Sequence, residues 1–302
     1  MHYFAPAQVP VLSQLAQKFA VCDHWFASAP CQTWPNRWFV HAGTADGHEN
    51  NDPPHFPDVP TIFNRLEQAG VDSWKIYFHD IAQAHTLLQL LLLGNHFQSY
   101  RQFQADCQTG RLPAYSFIEP QYFADFGHPE NDQHPPSVVT LGEQLIADVY
   151  NCLRASKVWR KTLLVISYDE HGGCYDHVAP SAAVPPEPPV AGQTFTFDRY
   201  GVRVPAVIVS PYVAPGTIFG KSSAVPFDYH CYRAQMLRHK RDAHRARRPG
   251  TGPRQRTHPA ATYQPWSTPT KGPSLCTGLG NRRGGADQAA QFHAKGAGRA
   301  CH

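Results

Sequence analysis

Residues 1–228 of this 302-residue chain predict an α/β domain, a mostly parallel sheet with helices on both faces. Three observations carry that expectation. Short, nearly unbroken apolar runs such as "TLLVIS" (162–167) and "VPAVIVSP" (204–211) have the character of strands buried on both sides. "LGEQLIADVYNCLRASKVW" (141–159) places Leu141, Leu145, Ile146, Val149 and Leu153 at helical spacing. The two kinds of segment alternate along the chain, as in strands joined by crossover helices.

The elements follow in order. "FAVCDHWF" (19–26) reads as a strand running into a loop. Pro35 suits the first turn of a helix through "NRWFVHAG", with Gly43 as its stop. "TIFNRLEQAG" reads as a capped helix, opened by Thr61 and closed by Gly70. "SWKIYF" and "AYSFIEP" read as strands ending near Phe78 and Glu119. "LLQLLLLG" (87–94) is far shorter than the roughly 20 apolar residues that span a bilayer and reads as a buried helix. The long helix from Leu141 feeds into "TLLVIS". The Pro-rich "APSAAVPPEPPVAG" (179–192) reads as a loop or lid before the late strand "VPAVIVSPYV".

Composition divides the chain in two. The formal net charge is +4, but 14 of the 27 Lys and Arg residues and only two acids, Asp242 and Asp287, fall in 229–302. That segment therefore carries +12 and residues 1–228 carry −8. The tail has neither Ile nor Val and is rich in Arg, Pro and Gly, so it is expected to stay disordered. A nucleic-acid role for it is disfavoured; the abrupt change near Tyr229 suits a shifted reading frame better. None of the 8 cysteines forms a CxxC pair, which leaves a zinc ribbon or thioredoxin motif unsupported. The opening "MHYFAPAQVPVL" has no basic and no long apolar region of an export leader, and the compartment stays open.

Three segments concentrate chemistry. In "YDEHGGCYDHV" (168–178), Asp169 and Glu170 follow a strand end, where open α/β sheets bind ligands. Adjacent carboxylates are costly to hold together unless a cation neutralises them. Oxygen ligands suit Ca²⁺, Mg²⁺ or Mn²⁺, and Zn²⁺ less exclusively; a zinc site from His171, Cys174 and His177 is the competing reading. In "PCQTWPNRWF" (30–39), Thr33 sits at a helix N-terminus, where free N–H groups and the helix dipole favour phosphate oxygens. Asn36 and Arg37 add a neutral and a cationic donor; simple capping by Thr33 is the plainer alternative. In "PENDQHPP" (129–136), Glu130, Asp132 and His134 occupy a Pro-rich loop, and a histidine there can protonate a leaving oxygen.

With "GVRVPAVIVSP" (201–211) added, the four segments in this order resemble the bacterial and plant phosphoesterase family of phosphatidylcholine-type or non-specific phospholipases C and related acid phosphatases. The resemblance covers about residues 1–228. It implies an alkaline-phosphatase-like α/β/α sandwich and a phosphoesterase of phospholipase C type, acting on phospholipid through a phospho-threonine intermediate. Thr33 would be the nucleophile, and Asp169 and Glu170 would bind one divalent metal ion. His134 and His177 would contact phosphate and protonate the leaving group. Asn36, Arg37, Asp132 and His171 would bind substrate, with His171 alternatively orienting Glu170.

The resemblance also implies transient contact with a membrane surface. The family's first strand and its "ENRSFD" motif, whose Glu and Asn complete the metal shell, are expected upstream of this chain's start. The sandwich is thus expected to be incomplete. An acid phosphatase acting on phosphomonoesters is the alternative activity, and an inactive fragment is the alternative to any activity.

Overall fold

A computed structural model describes residues 3–220 apart from 53, 54, 72, 126 and 190–192. The tail expected to be disordered, 229–302, lies outside the described residues. The expected strands and helices form almost where the sequence places them. Helix α1 (Pro10–Lys18) leads into β1 (Ala20–Cys22), followed by α2 (Thr33–Ala42) and α3 (Ile62–Gln68). Strands β2 (Trp74–Phe78) and β3 (Phe97–Ser99), helix α4 (Tyr100–Thr109) and strand β4 (Tyr115–Ile118) come next. Helix α5 (Val139–Ala155), β5 (Leu164–Ser167), β6 (Ala206–Val209) and β7 (Thr217–Phe219) complete the order.

Local chemistry explains the helix bounds. Thr61 caps α3 reciprocally: its hydroxyl accepts from Asn64 N–H, and the Asn64 carboxamide accepts from Thr61 N–H. Glu143, buried on α5, reaches back to the N-terminus of α1 and accepts from Val11 N (2.5 Å) and Leu12 N (3.2 Å). A carboxylate at a helix N-terminus satisfies orphan donors and complements the dipole, so this bond ties the two helices together.

The α/β class holds and three of the five strand pairings are parallel, but the sheet expected to be continuous is divided. It divides into a four-stranded sheet ordered β5-β6-β1-β7 and a three-stranded sheet ordered β3-β2-β4. The second is wholly parallel. The first is mixed, because β6 runs antiparallel to both β1 and β5. The unbroken apolar run of β6 reports burial, not direction. All four of its residues are buried between two neighbours, a signature that a central strand gives in either orientation. Strand β5 is an edge of the mixed sheet and is not fully buried: Val165, and Leu163 just before the strand, are exposed. A further correction concerns "LLQLLLLG", which is no buried helix. It folds as short 3₁₀ turns that bury Leu87 and Leu90 and leave Leu88, Leu91 and Leu92 exposed.

The main core lies around β2, where Trp38, Phe63, Trp74, Ile76, Leu87 and Leu90 pack together. A smaller cluster under the mixed sheet joins Ala20, Cys22, Ala206 and Ile208. The cysteines of the described residues, Cys22, Cys31, Cys107, Cys152 and Cys174, are free thiols.

Candidate active site

The carboxyl ends of β4 and β5 and the N-terminal turns of α2 supply the chemistry. Thr33 is the first residue of α2, one residue after the N-cap Gln32. Its hydroxyl makes no hydrogen bond among the described residues, so the capping alternative does not account for it. Trp34 N–H is taken by Asn51 Oδ1 (2.8 Å) and Pro35 has no N–H, so few backbone donors stay open at this helix end. Thr33 and Arg37 are four residues apart on one helix, which sets them on the same face.

Asn36 builds the turn before the helix. Its Oδ1 accepts from Ala29 N (3.0 Å), and its Nδ2 donates to the carbonyls of Ala29, Cys31 and Gln32 at 3.0–3.2 Å. A side chain 1% exposed and engaged on every donor shapes the Thr33 loop and has no N–H left for phosphate. The same loop is held from the far side. Gly201 N donates to Ala27 O (2.9 Å), and Ala27 N donates to Val202 O (3.0 Å). A Cβ at Gly201 would lie 2.5 Å from Ala29 O, so this close approach requires glycine.

Arg37 links helix to sheet. Its Nε lies 3.5 Å from Asp169 Oδ2, just past the end of β5. Both atoms are buried, and neither makes a hydrogen bond. Burial opposes the Arg37 charge, but the oxygens of Tyr122, Asp169 and Glu119 outweigh it and hold the guanidinium protonated. The guanidinium carbon also sits 5.1 Å above the Tyr122 ring. Behind Arg37, burial and then the guanidinium charge push the His41 pKa down to about 3, so this imidazole is neutral.

Two residues here were not singled out from sequence. Glu119, fully buried at the end of β4, accepts from Gln83 N (2.7 Å), Ala84 N (3.1 Å) and Tyr122 OH (2.9 Å). Tyr122 thereby stands between a buried carboxylate and Arg37. The available signal was "FIEP": an acid that ends an apolar strand is seldom incidental.

The histidine loop and the "DEHGG" turn do meet. His134 Nδ1 lies 3.7 Å from Glu170 Oε1, and Glu170 Oε2 accepts from Gly172 N (2.7 Å). Tyr168 OH also bonds to Gln133 Oε1, fastening one loop to the other. Asp132 accepts from His134 N (3.1 Å) and so shapes this loop; burial raises its pKa.

The remaining expectations fare differently. His171 Nδ1 donates to Cys174 O (3.0 Å), and no hydrogen bond from His171 to Glu170 is formed among the described residues. His177 is 77% exposed beside Asp176 (3.5 Å), and no contact links it to Arg37, Asp169 or Glu170. Asp176 is instead held by Arg203 through two bonds, at 2.6 and 2.7 Å, which keep its carboxyl below the usual range.

The donor set can be tested against a divalent ion. No three His, Cys, Asp or Glu side chains converge on one point among the described residues, so His171, Cys174 and His177 do not form a zinc triad. Asp169 and Glu170 remain as two carboxylates, one with an orphaned buried oxygen. Two carboxylates completed by water and substrate phosphate fit a hard ion such as Mg²⁺.

A model of the Phosphoesterase family matches residues 1–230. The chain belongs to the Phosphoesterase family. Non-specific phospholipase C3 of Arabidopsis thaliana is 41% identical over 233 residues, covering 72% of this chain and 43% of that protein. Non-specific phospholipase C4 of the same plant is 42% identical over 229 residues, with 72% and 42% covered. Phospholipase C B of Mycobacterium tuberculosis is 29% identical over 254 residues, with 70% and 47% covered. The chain thus spans less than half the length of the curated relatives it matches. Similar solved structures include a protein in the alkaline phosphatase superfamily from Vibrio parahaemolyticus, at 15% identity and TM-score 0.43, covering 68% of this chain and 55% of that one. The lipoteichoic acid synthase LtaP from Listeria monocytogenes is another, at 12% identity and TM-score 0.45, with 70% and 63% covered.

Proposed function

We propose that this chain hydrolyses phosphoesters in the manner of a phospholipase C, with Thr33 as nucleophile. One observation carries the reading: Thr33, whose hydroxyl has no partner among the described residues, shares a helix face with Arg37, and Arg37 reaches the Asp169 carboxylate at 3.5 Å. A fixed cation beside a hydroxyl favours its ionised form and steadies charge on a phosphoryl group. Thr33 gives its hydroxyl proton to water and attacks phosphorus as the alkoxide; an O–P bond forms, and the bond from phosphorus to the leaving alcohol breaks. His134, exposed and next to Glu170, gives its proton to that alcohol. Water then attacks the phospho-threonine, its proton passes to His134, and Thr33 is freed. Asp169 and Glu170 would hold a divalent ion, which would neutralise phosphate charge.

The names of the plant and mycobacterial relatives point to phospholipid as substrate. The test uses the purified chain on a phosphocholine diester and on a phosphomonoester, with and without chelator. T33A is expected to lower diester turnover at least about a thousandfold, with the fold unchanged by circular dichroism. Turnover that persists in T33A overturns the assignment. Faster turnover of the monoester favours an acid phosphatase, and no turnover of either by the wild-type chain favours an inactive fragment.

A further inference from the structure

The segment from Ile81 to Gly94, "IAQAHTLLQLLLLG", holds no Asp, Glu, Lys or Arg. Its leucines divide by direction. Leu87 and Leu90 are fully buried and anchor the segment in the main core. Leu88, Leu91 and Leu92 point outward, and Leu92 is 95% exposed. Phe56 and Ile81 are exposed as well, and Leu88 N donates to Pro57 O (3.1 Å), which joins the two stretches. The Phe56 ring lies 5.7 Å from Trp34, the residue after Thr33. The apolar surface therefore touches the residue that follows the nucleophile in α2.

We propose that Leu88, Leu91 and Leu92, with Ile81 and Phe56, dock this protein on a lipid layer. The inference rests on the phospholipase reading for its purpose and on the surface alone for its physics. An aqueous surface carries such a run of bare leucines at a cost in solubility, and contiguous apolar patches mark interaction sites. Lipid is favoured over protein by two features. The segment itself contains no Asp, Glu, Lys or Arg, burial lowers the pKa of its single histidine, His85, and the two acids at its edge are each engaged by it: Asp80 Oδ1 accepts from Ile81 N (2.7 Å) and Asp58 Oδ1 from Gln89 Nε2 (2.5 Å). Its backbone is also largely self-satisfied: Leu90 N donates to Leu87 O, Leu91 N to Leu88 O and Leu93 N to Leu90 O. Backbone groups entering hydrocarbon must be bonded internally, and short 3₁₀ turns achieve that in a loop. The charge of −8 on residues 1–228 gives this domain no attraction to an anionic surface. Docking is thus apolar, prefers zwitterionic lipid and resists salt.

The test is sedimentation of the full chain with phosphatidylcholine vesicles at low and high salt, scored by bound protein and not by turnover. Wild-type protein is expected to partition to the same extent at both salts. L92Q should weaken partitioning about tenfold and L91Q/L92Q about a hundredfold. Both side chains are exposed, so the variants keep the fold, and hydrolysis of a soluble short-chain phosphodiester should be unchanged in them. Wild-type protein that stays in the supernatant, or L92Q that binds as well as wild type, overturns the proposal. A lipid-free dimer that L92Q dissociates also overturns it, since the patch then joins two copies. A chain that binds vesicles but hydrolyses nothing defeats the phospholipase reading and leaves the docking surface standing.

Discussion

The candidate site has two unlike sides. On the side of β4 and α2, Asn36 and Glu119 are buried, and Tyr122 locks Glu119 to Arg37. On the side of the two loops, His134 is 57% exposed. On the proposed mechanism, placement and proton transfer fall to different surroundings. Low-dielectric burial fixes the cation and carboxylates, and no reorganisation is needed when charge develops. Exposure lets a histidine exchange its proton with water between turnovers. The first side should therefore answer to mutation in stability, and the second in rate.

Removing the buried carboxylate strikes the first side hardest. E119A leaves Gln83 N, Ala84 N and Tyr122 OH without their buried acceptor. Urea unfolding should show a loss of about 3–5 kcal/mol. A loss below about 1 kcal/mol would erase the distinction between the two sides.

Acid probes the same side more gently. His41 is neutral when folded, with a pKa of about 3 against about 6.5 unfolded. Between those values the unfolded chain binds the extra proton, so stability falls as pH is lowered. The slope attributable to His41 is about 1.4 kcal/mol per pH unit, beginning near pH 6.5. Thermal scans of wild type and H41F from pH 7 to about pH 4.5 measure it, and H41F should show the shallower decline.

The smallest effect on stability belongs to the exposed side. H134A should unfold within about 0.5 kcal/mol of wild type, yet lose about a hundredfold or more in turnover. A large change in unfolding with intact turnover would invert the comparison.

What was legible in the sequence follows from which forces are local. Strand β2, helix α5 and the Thr61 cap were visible because periodicity and capping act within a few residues. The direction of β6 was not, because pairing is decided by partners far along the chain: Ile208 meets Ala20 and Val165. "LLQLLLLG" misled because apolar content alone does not say which side of a turn faces the core. At the site, Thr33, Arg37, Asp169, Glu170 and His134 were chosen from motifs, and the structure brings Arg37 to Asp169 and His134 to Glu170. Glu119 and Tyr122 were overlooked because a buried acid looks like a strand end until its partners are known. His177 had the right neighbours in sequence but lies beside Asp176 and solvent.

Gly201 sits 168 positions after Thr33, yet its bare α-carbon abuts the carbonyl of Ala29 in the loop that Asn36 shapes. A single methyl group there would be felt as displacement of the nucleophile's loop. The precision of the chemistry is thus partly set by an atom that is missing. Tolerance to substitution in this protein is governed by contact through the fold, and a residue that never meets substrate can be as constrained as one that does.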